Sequence, residues 1–237
     1  MIFLWIKGKV NINLITEIIF LISMKKINFN NTHRQKHFDF FNKMNHPHFN
    51  ICANVDITTF VPYVTENNLR FTYSVVYVIA KAAMMIKEFR WRIIDEELYE
   101  CPSVTPSFTT YTEVADVFSF CDVPFESDYF NFVEKAQNKA AAMNRNPSFE
   151  DADRHDYLFL SSIPWVSFTM FQHAMPFHPT DSVPRITWGK YFTEGDKIKM
   201  PVSVQAHHAV VDGRHVGQYF QTLEHIFKDF ENVISKE

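Results

Sequence analysis

The run Val204-Gln205-Ala206-His207-His208-Ala209-Val210-Val211-Asp212-Gly213 puts two imidazoles and a carboxylate into one short stretch. An imidazole changes charge close to neutrality, so a histidine at a strand end can serve as general base toward a hydroxyl. Three kinds of chemistry fit the run. His207, His208 and His215 could hold zinc, although neighbouring side chains on a strand point to opposite faces, which opposes shared ligation. Asp212 could cap a following helix. One histidine could deprotonate an alcohol. His33, His37, His46, His48, His155, His173, His178 and His225 sit in ordinary polar contexts and read as surface groups or satisfied core groups. Cys52, Cys101 and Cys121 are scattered, with no Cys-x-x-Cys pair. That opposes a disulfide framework and a thiolate zinc site, and it fits a reducing, cytoplasmic setting.

The elements that must position these groups follow from periodicity and caps. Thr32 can cap a helix running to about residue 45, with Phe38 and Phe41 on one face. Residues 49–56 read as a strand, and Asp56 or Thr58 can start a short helix. Residues 71–89 read as a helix that is apolar on most sides and therefore buried. Strands follow near 91–100, 104–112 and 117–122, rich in Val, Thr, Tyr and Phe. Residues 128–144 return to helix. Strands are expected near 157–162, 166–171, 184–191 and 197–206, and a closing helix over about 214–232. The catalytic-looking run thus lies where the last strand meets the last helix. Strand runs without intervening helices predict an α/β layer fold with a mixed, largely antiparallel sheet flanked by helices.

Composition excludes several classes. The 237 residues suffice for a domain with a sizeable core. The glycines are Gly8, Gly189, Gly195, Gly213 and Gly217, so residues 9–188 contain none. A phosphate-cradling loop needs clustered glycines, which removes P-loop and dinucleotide-binding readings. The net charge of −4 gives no electrostatic reason to expect nucleic acid. The 25 phenylalanines read mainly as core filling. Residues 1–23 hold two short apolar runs broken by Lys7, Lys9, Asn11, Asn13 and Glu17. They match neither a membrane span nor a signal peptide. They are read as an N-terminal extension, non-native or poorly ordered, with a weak membrane-targeting segment as the alternative, ahead of a single domain over 24–237.

The HHAVVDG run resembles the HHxxxDG motif of the CoA-dependent acyltransferases. Four further stretches resemble the chloramphenicol acetyltransferase family, in its order and spacing. They are Arg34-Gln35-Lys36-His37-Phe38, Asp56-Ile57-Thr58-Thr59, Ser161-Ser162-Ile163-Pro164-Trp165-Val166, and Ile186-Thr187-Trp188-Gly189-Lys190-Tyr191 followed by Glu194-Gly195. The resemblance spans about residues 24–232. It implies a homotrimer with active sites between subunits and acetyl-CoA as co-substrate, with no metal. It implies His208 as general base, oriented through its own backbone carbonyl, and Ser161 as donor to the tetrahedral oxyanion of a direct transfer. It implies that Arg34 pairs with Asp212 to support the site, and that Phe40, Phe41, Thr109 and Phe118 line an acceptor pocket suited to chloramphenicol. It places Trp165, Thr187 and Tyr191 by the CoA channel.

The sequence departs from the family at three places. Phe41 stands where the family usually has tyrosine, so a phenolic contact to the acceptor is missing. Val211 and Arg214 replace the motif's usual Cys and Phe, and Arg214 is expected to add a charge beside the base. Residues 42–48 match the pocket loop poorly. An O-acetyltransferase acting on another alcohol, or a non-catalytic homologue that binds CoA or an acceptor, is therefore the alternative.

Overall fold

Alternation along the strands sorts apolar from polar side chains, and this sorting organises the molecule. A computed structural model describes residues 23–112, 114, 116–148, 154–176 and 181–235. The expected extension over 1–23 lies outside them except for Ser23. Strand β1 (Lys25–Lys26) precedes helix α1 (His33–Asn42), strand β2 (His48–Asp56), and helices α2 (Phe60–Glu66) and α3 (Phe71–Met85). Strands β3 (Trp91–Ile94), β4 (Glu97–Glu100), β5 (Thr105–Thr112) and β6 (Val117–Asp122) come next. Helix α4 (Tyr129–Arg145) leads to β7 (Tyr157–Ile163), β8 (Arg185–Gly189), β9 (Phe192–Glu194) and β10 (Lys197–His207). Helices α5 (Gly213–Lys228) and α6 (Phe230–Ser235) close the described chain.

The main sheet runs β2-β10-β8-β7-β5-β6, with β9 paired to β10. Pairs β5–β7 and β7–β8 are parallel and the others antiparallel, the mixed, mostly antiparallel sheet expected. Register assigns the faces, because directly opposed residues share one. Ile51, Val204, Ile186, Leu160 and Phe108 form one row across the sheet. That apolar face meets α3, α4 and α5. Helix α3 is buried along most of its length, and the Tyr219 hydroxyl of α5 donates to its Ile79 carbonyl at 2.9 Å. The opposite face carries Cys52, Ser203, Thr187 and Ser161 in one row, and Asn50, Gln205, Arg185, Phe159 and Ser107 in the next.

Among the described residues no helix covers this polar face; an irregular strap over residues 164–176 does. A strand was expected at 166–171. The strap's polar groups bond to sheet side chains instead of a neighbouring strand. The Phe171 carbonyl accepts from Asn50 Nδ2 and from Ser203 Oγ at 3.1 Å, and the His173 amide donates to Gln205 Oε1 at 2.9 Å. Gly189 stands where the strap begins its crossing. A Cβ there would sit 2.8 Å from both Pro201 Cγ and the Val166 carbonyl oxygen, so only glycine fits.

Other boundaries shift. Helix α1 stops at Asn42, and Thr32 holds its N-cap position without a side-chain cap bond. The closing helix is divided at Asp229 into α5 and α6. Strands β3 and β4 turn through Asp95 and Glu96 at φ 49° and 64°, and β4 pairs with β1 in a small separate sheet. No described helix is long and apolar enough to cross a membrane. The described cysteines are free; Cys101 and Cys121 are buried and Cys52 is half-buried.

Candidate active site

His208 lies just past the end of β10, in the turn that leads to α5. Its amide donates to the Pro47 carbonyl at 2.9 Å, which ties the turn to the loop before β2. Its ring stacks on Phe41, centroids 3.9 Å apart and planes at 18°, with Phe49 at 4.6 Å and His37 edge-on at 5.4 Å. Nδ1 is sealed and has no hydrogen-bond partner, so the expected bond to the residue's own carbonyl is not formed and the neighbouring rings hold the imidazole instead. Only Nε2 is therefore free to meet a proton from a ligand. His207, one residue earlier, belongs to the polar face; its Nδ1 accepts from the Ala209 amide at 3.2 Å. This inward ring shapes the turn while the next one serves the open side.

Asp212 caps α5, accepting from the Arg214 amide at 3.0 Å, while His215 Nδ1 accepts from the Asp212 amide at 2.9 Å. The Arg214 amide holds the Asp212 carboxyl below its ordinary range. Arg34 does not pair with Asp212 as expected. It donates to the Val210 carbonyl at 2.5 Å and approaches His37 Nδ1 at 3.4 Å. The turn offers Arg34 a carbonyl, while the Asp212 carboxylate serves the helix start; Arg34 supports the same turn through a different atom. Arg214, expected beside the base, instead lines a separate cleft with Glu88, Gln218 and His225.

The histidines weighed as zinc ligands do not gather as a set. Among the described residues, His37, His208 and Asp212 bring ligand atoms within 4.8 Å of one another. The Arg34 guanidinium beside His37 opposes a second cation there.

Ser161 lies elsewhere. It lines a cavity of about 810 Å³ with Thr109, Phe118, Trp165, Phe120 and His173. Its hydroxyl has no hydrogen-bond partner among the described residues and is not sealed. Thr187 is its direct register partner, and the Thr187 hydroxyl lies 2.8 Å from His173 Nε2. Ser161, Thr109 and Phe118 line this one cavity, with Trp165 at it and 71% exposed. Phe41 instead faces His208, and Phe40 is 62% exposed beside it. Tyr191 packs on Phe71 at 5.5 Å, outside this cavity.

The two halves of the expected machinery do not meet within one chain. Ser161 is level with Ser203 across β8, and His208 lies five residues beyond Ser203. Strand geometry makes that about 17 Å along the sheet and about 10 Å across it. His173 was read as an ordinary histidine. Nothing in its spacing marks it, and only the strap's path brings it to Thr187.

Burial depresses three histidines on the polar face: His48 to about 3, His173 to about 4 and His207 to about 4. They stay neutral in the fold, whereas in the unfolded chain they protonate near 6.5. Their contribution to stability is therefore complete above about pH 6.5 and is lost as pH falls toward about 4. The melting temperature is expected to drop steadily between these values. A flat profile would mean that these rings are not held neutral.

A family model described as chloramphenicol acetyltransferase matches residues 22–224. The chain belongs to the chloramphenicol acetyltransferase family. It is accordingly an acyltransferase enzyme. A Klebsiella chloramphenicol acetyltransferase is 33% identical over 193 residues, covering 81% of this chain and 88% of that protein. A solved chloramphenicol acetyltransferase shares the fold with a TM-score of 0.75 at 19% identity, over 86% of this chain and 99% of that one. The cubic core of a pyruvate dehydrogenase multienzyme complex does so with a TM-score of 0.66 at 14% identity, over 89% and 94%. The family's mixed sheet flanked by helices is the fold described above.

Proposed function

We propose that this enzyme transfers acetyl from acetyl-CoA directly to a hydroxyl of chloramphenicol. The observation that carries this reading is the Ser161 hydroxyl, unpartnered among the described residues, in a cavity walled by Phe118, Phe120 and Phe159. Such a cavity suits an aryl acceptor. The acceptor oxygen attacks the thioester carbonyl as His208 Nε2 takes its proton. Charge moves to the carbonyl oxygen, where the Ser161 hydroxyl donates. Collapse breaks the carbon–sulfur bond, and the CoA thiolate takes the proton back from His208. The products are the acetyl ester and CoA.

Each site is completed by a second copy in a homotrimer, His208 of one facing the Ser161 cavity of the next. The separation of about 20 Å within a chain supports this, because both groups must lie within about 3 Å of the reacting atoms. Exposed Phe40, Phe118 and Trp165 supply apolar surface for a neighbouring copy or a bound substrate. Trp165, Thr187 and Tyr191 are assigned to the CoA side, and Arg34 and Asp212 to the turn that carries the base. The free cysteines accord with a cytoplasmic enzyme.

The experiment is thiol release from acetyl-CoA, measured over a small panel of alcohols that includes chloramphenicol. Turnover with chloramphenicol is the expected result. Turnover with another alcohol alone would keep the chemistry and replace the acceptor. Release with none would remove the reading.

A further inference from the structure

The strap that covers the polar face delivers an imidazole, His173, to the cavity. His173 lines two spaces: the cavity of about 810 Å³ that holds Ser161, and one of about 270 Å³ that it shares with Asn45, His46, Pro47, His48 and Met175. Its backbone is fixed by Gln205 and its Nε2 by the Thr187 hydroxyl, at 2.9 and 2.8 Å. Its Nδ1 has no hydrogen-bond partner among the described residues, and it is not among the sealed polar atoms. The ring is therefore tethered at one nitrogen and open at the other. Arg185, which lines the same large cavity, is held by Asp181 through bonds of 2.9 and 2.6 Å, so its charge is already paired.

We infer that His173 is a specificity-determining residue, and that its open Nδ1 selects acceptors carrying a neutral hydrogen-bonding group beyond the acetylated hydroxyl. A neutral imidazole offers one donor or one acceptor at that position, according to its tautomer. Burial keeps the ring uncharged at neutral pH, so it offers no ionic attraction. An acceptor without a polar group there leaves the nitrogen unpaired when it displaces water, which costs affinity. Thr187 chooses the tautomer together with His173, since its hydroxyl either donates to Nε2 or accepts from it.

This inference rests on the acetyltransferase reading. Its test compares the full-length protein with His173→Leu and His173→Gln, using acetyl-CoA and two acceptors. These are chloramphenicol, which carries amide and nitro groups, and a phenylpropanol whose primary hydroxyl is its only polar group. His173→Leu is expected to lower kcat/KM for chloramphenicol relative to phenylpropanol by about tenfold. The KM for acetyl-CoA is expected to stay unchanged, and His173→Gln to recover part of the selectivity. A ratio within about twofold of wild type overturns the inference. An equal fall in kcat with both acceptors also overturns it, since the ring would then act only by positioning Thr187. If the leucine variant does not fold, His173→Met set against His173→Gln makes the same comparison. A wild type that turns over neither alcohol fails at the level of the acetyltransferase reading instead.

Discussion

Acetyl transfer by the His208→Ala variant is expected to fall about 10²–10⁴-fold, with its melting temperature close to that of the wild type. The ring stands on Phe41 and beside Phe49 and His37, so its removal takes away a base whose orientation is already set. With Nδ1 sealed, a rotated ring could not offer its second nitrogen. The turn itself is held by groups that the substitution leaves intact: the amide of residue 208 on Pro47, Arg34 on Val210, and the Asp212 cap. The effect should therefore appear in kcat and not in folding. Thiol release measured beside circular dichroism separates the two, and undiminished turnover would remove His208 from the mechanism.

The second large effect is recovery. Ser161→Ala is expected to lose about 10²–10³-fold in kcat, the range for a lost oxyanion donor. Mixed in one assembly with His208→Ala, it should regain activity. A site drawing Ser161 from one copy and His208 from the next is intact only where the donor copy carries the histidine change and the neighbour the serine change. At equal proportions and random assembly that is about a quarter of all sites, and about a third of the sites in purified mixed trimers. Co-expression with distinguishable tags, purification of the mixed species and a thiol-release assay give the fraction. If both groups came from one chain, no mixture would recover. The estimated separation of Ser161 and His208 makes recovery the expected outcome.

Legibility in the sequence differed from part to part for physical reasons. Strand alternation exposes itself in sequence, so the strands that carry Thr109, Ser161 and Thr187 could be anticipated. The turn after β10 was readable because histidine, aspartate and glycine there combine a strand end with a helix cap. Distances between distant elements leave no such trace; motif order does not reveal that His208 and Ser161 lie about 20 Å apart. The strap was misread as a strand because Val166, Phe168 and Phe171 are strand-formers, while its partners are side chains of Asn50, Ser203 and Gln205 on strands remote in sequence. Arg34 was paired with Asp212 through the family resemblance, yet in this chain it donates to the turn's Val210 carbonyl. His173 carried no signal, since its importance arises only from where the strap lays it down.

The buried cysteines bear on how an enzyme with the proposed chemistry coexists with the thiol it would release. Every turnover of an acetyl-CoA thioester liberates a free thiol, which can exchange with protein cysteines once either partner is oxidised. Burial raises the Cys101 thiol to about 11 and the Cys121 thiol to about 12, and exchange requires a thiolate with access. Those two side chains are thus inert toward the product and toward thiol-trapping dyes in the folded protein. Cys52, half-buried with its sulfur 3.7 Å from Asn50 Oδ1, is the described cysteine left within reach. A colorimetric progress curve therefore reads CoA above a baseline of at most one protein thiol per described chain, and a rise beyond that baseline reports unfolding.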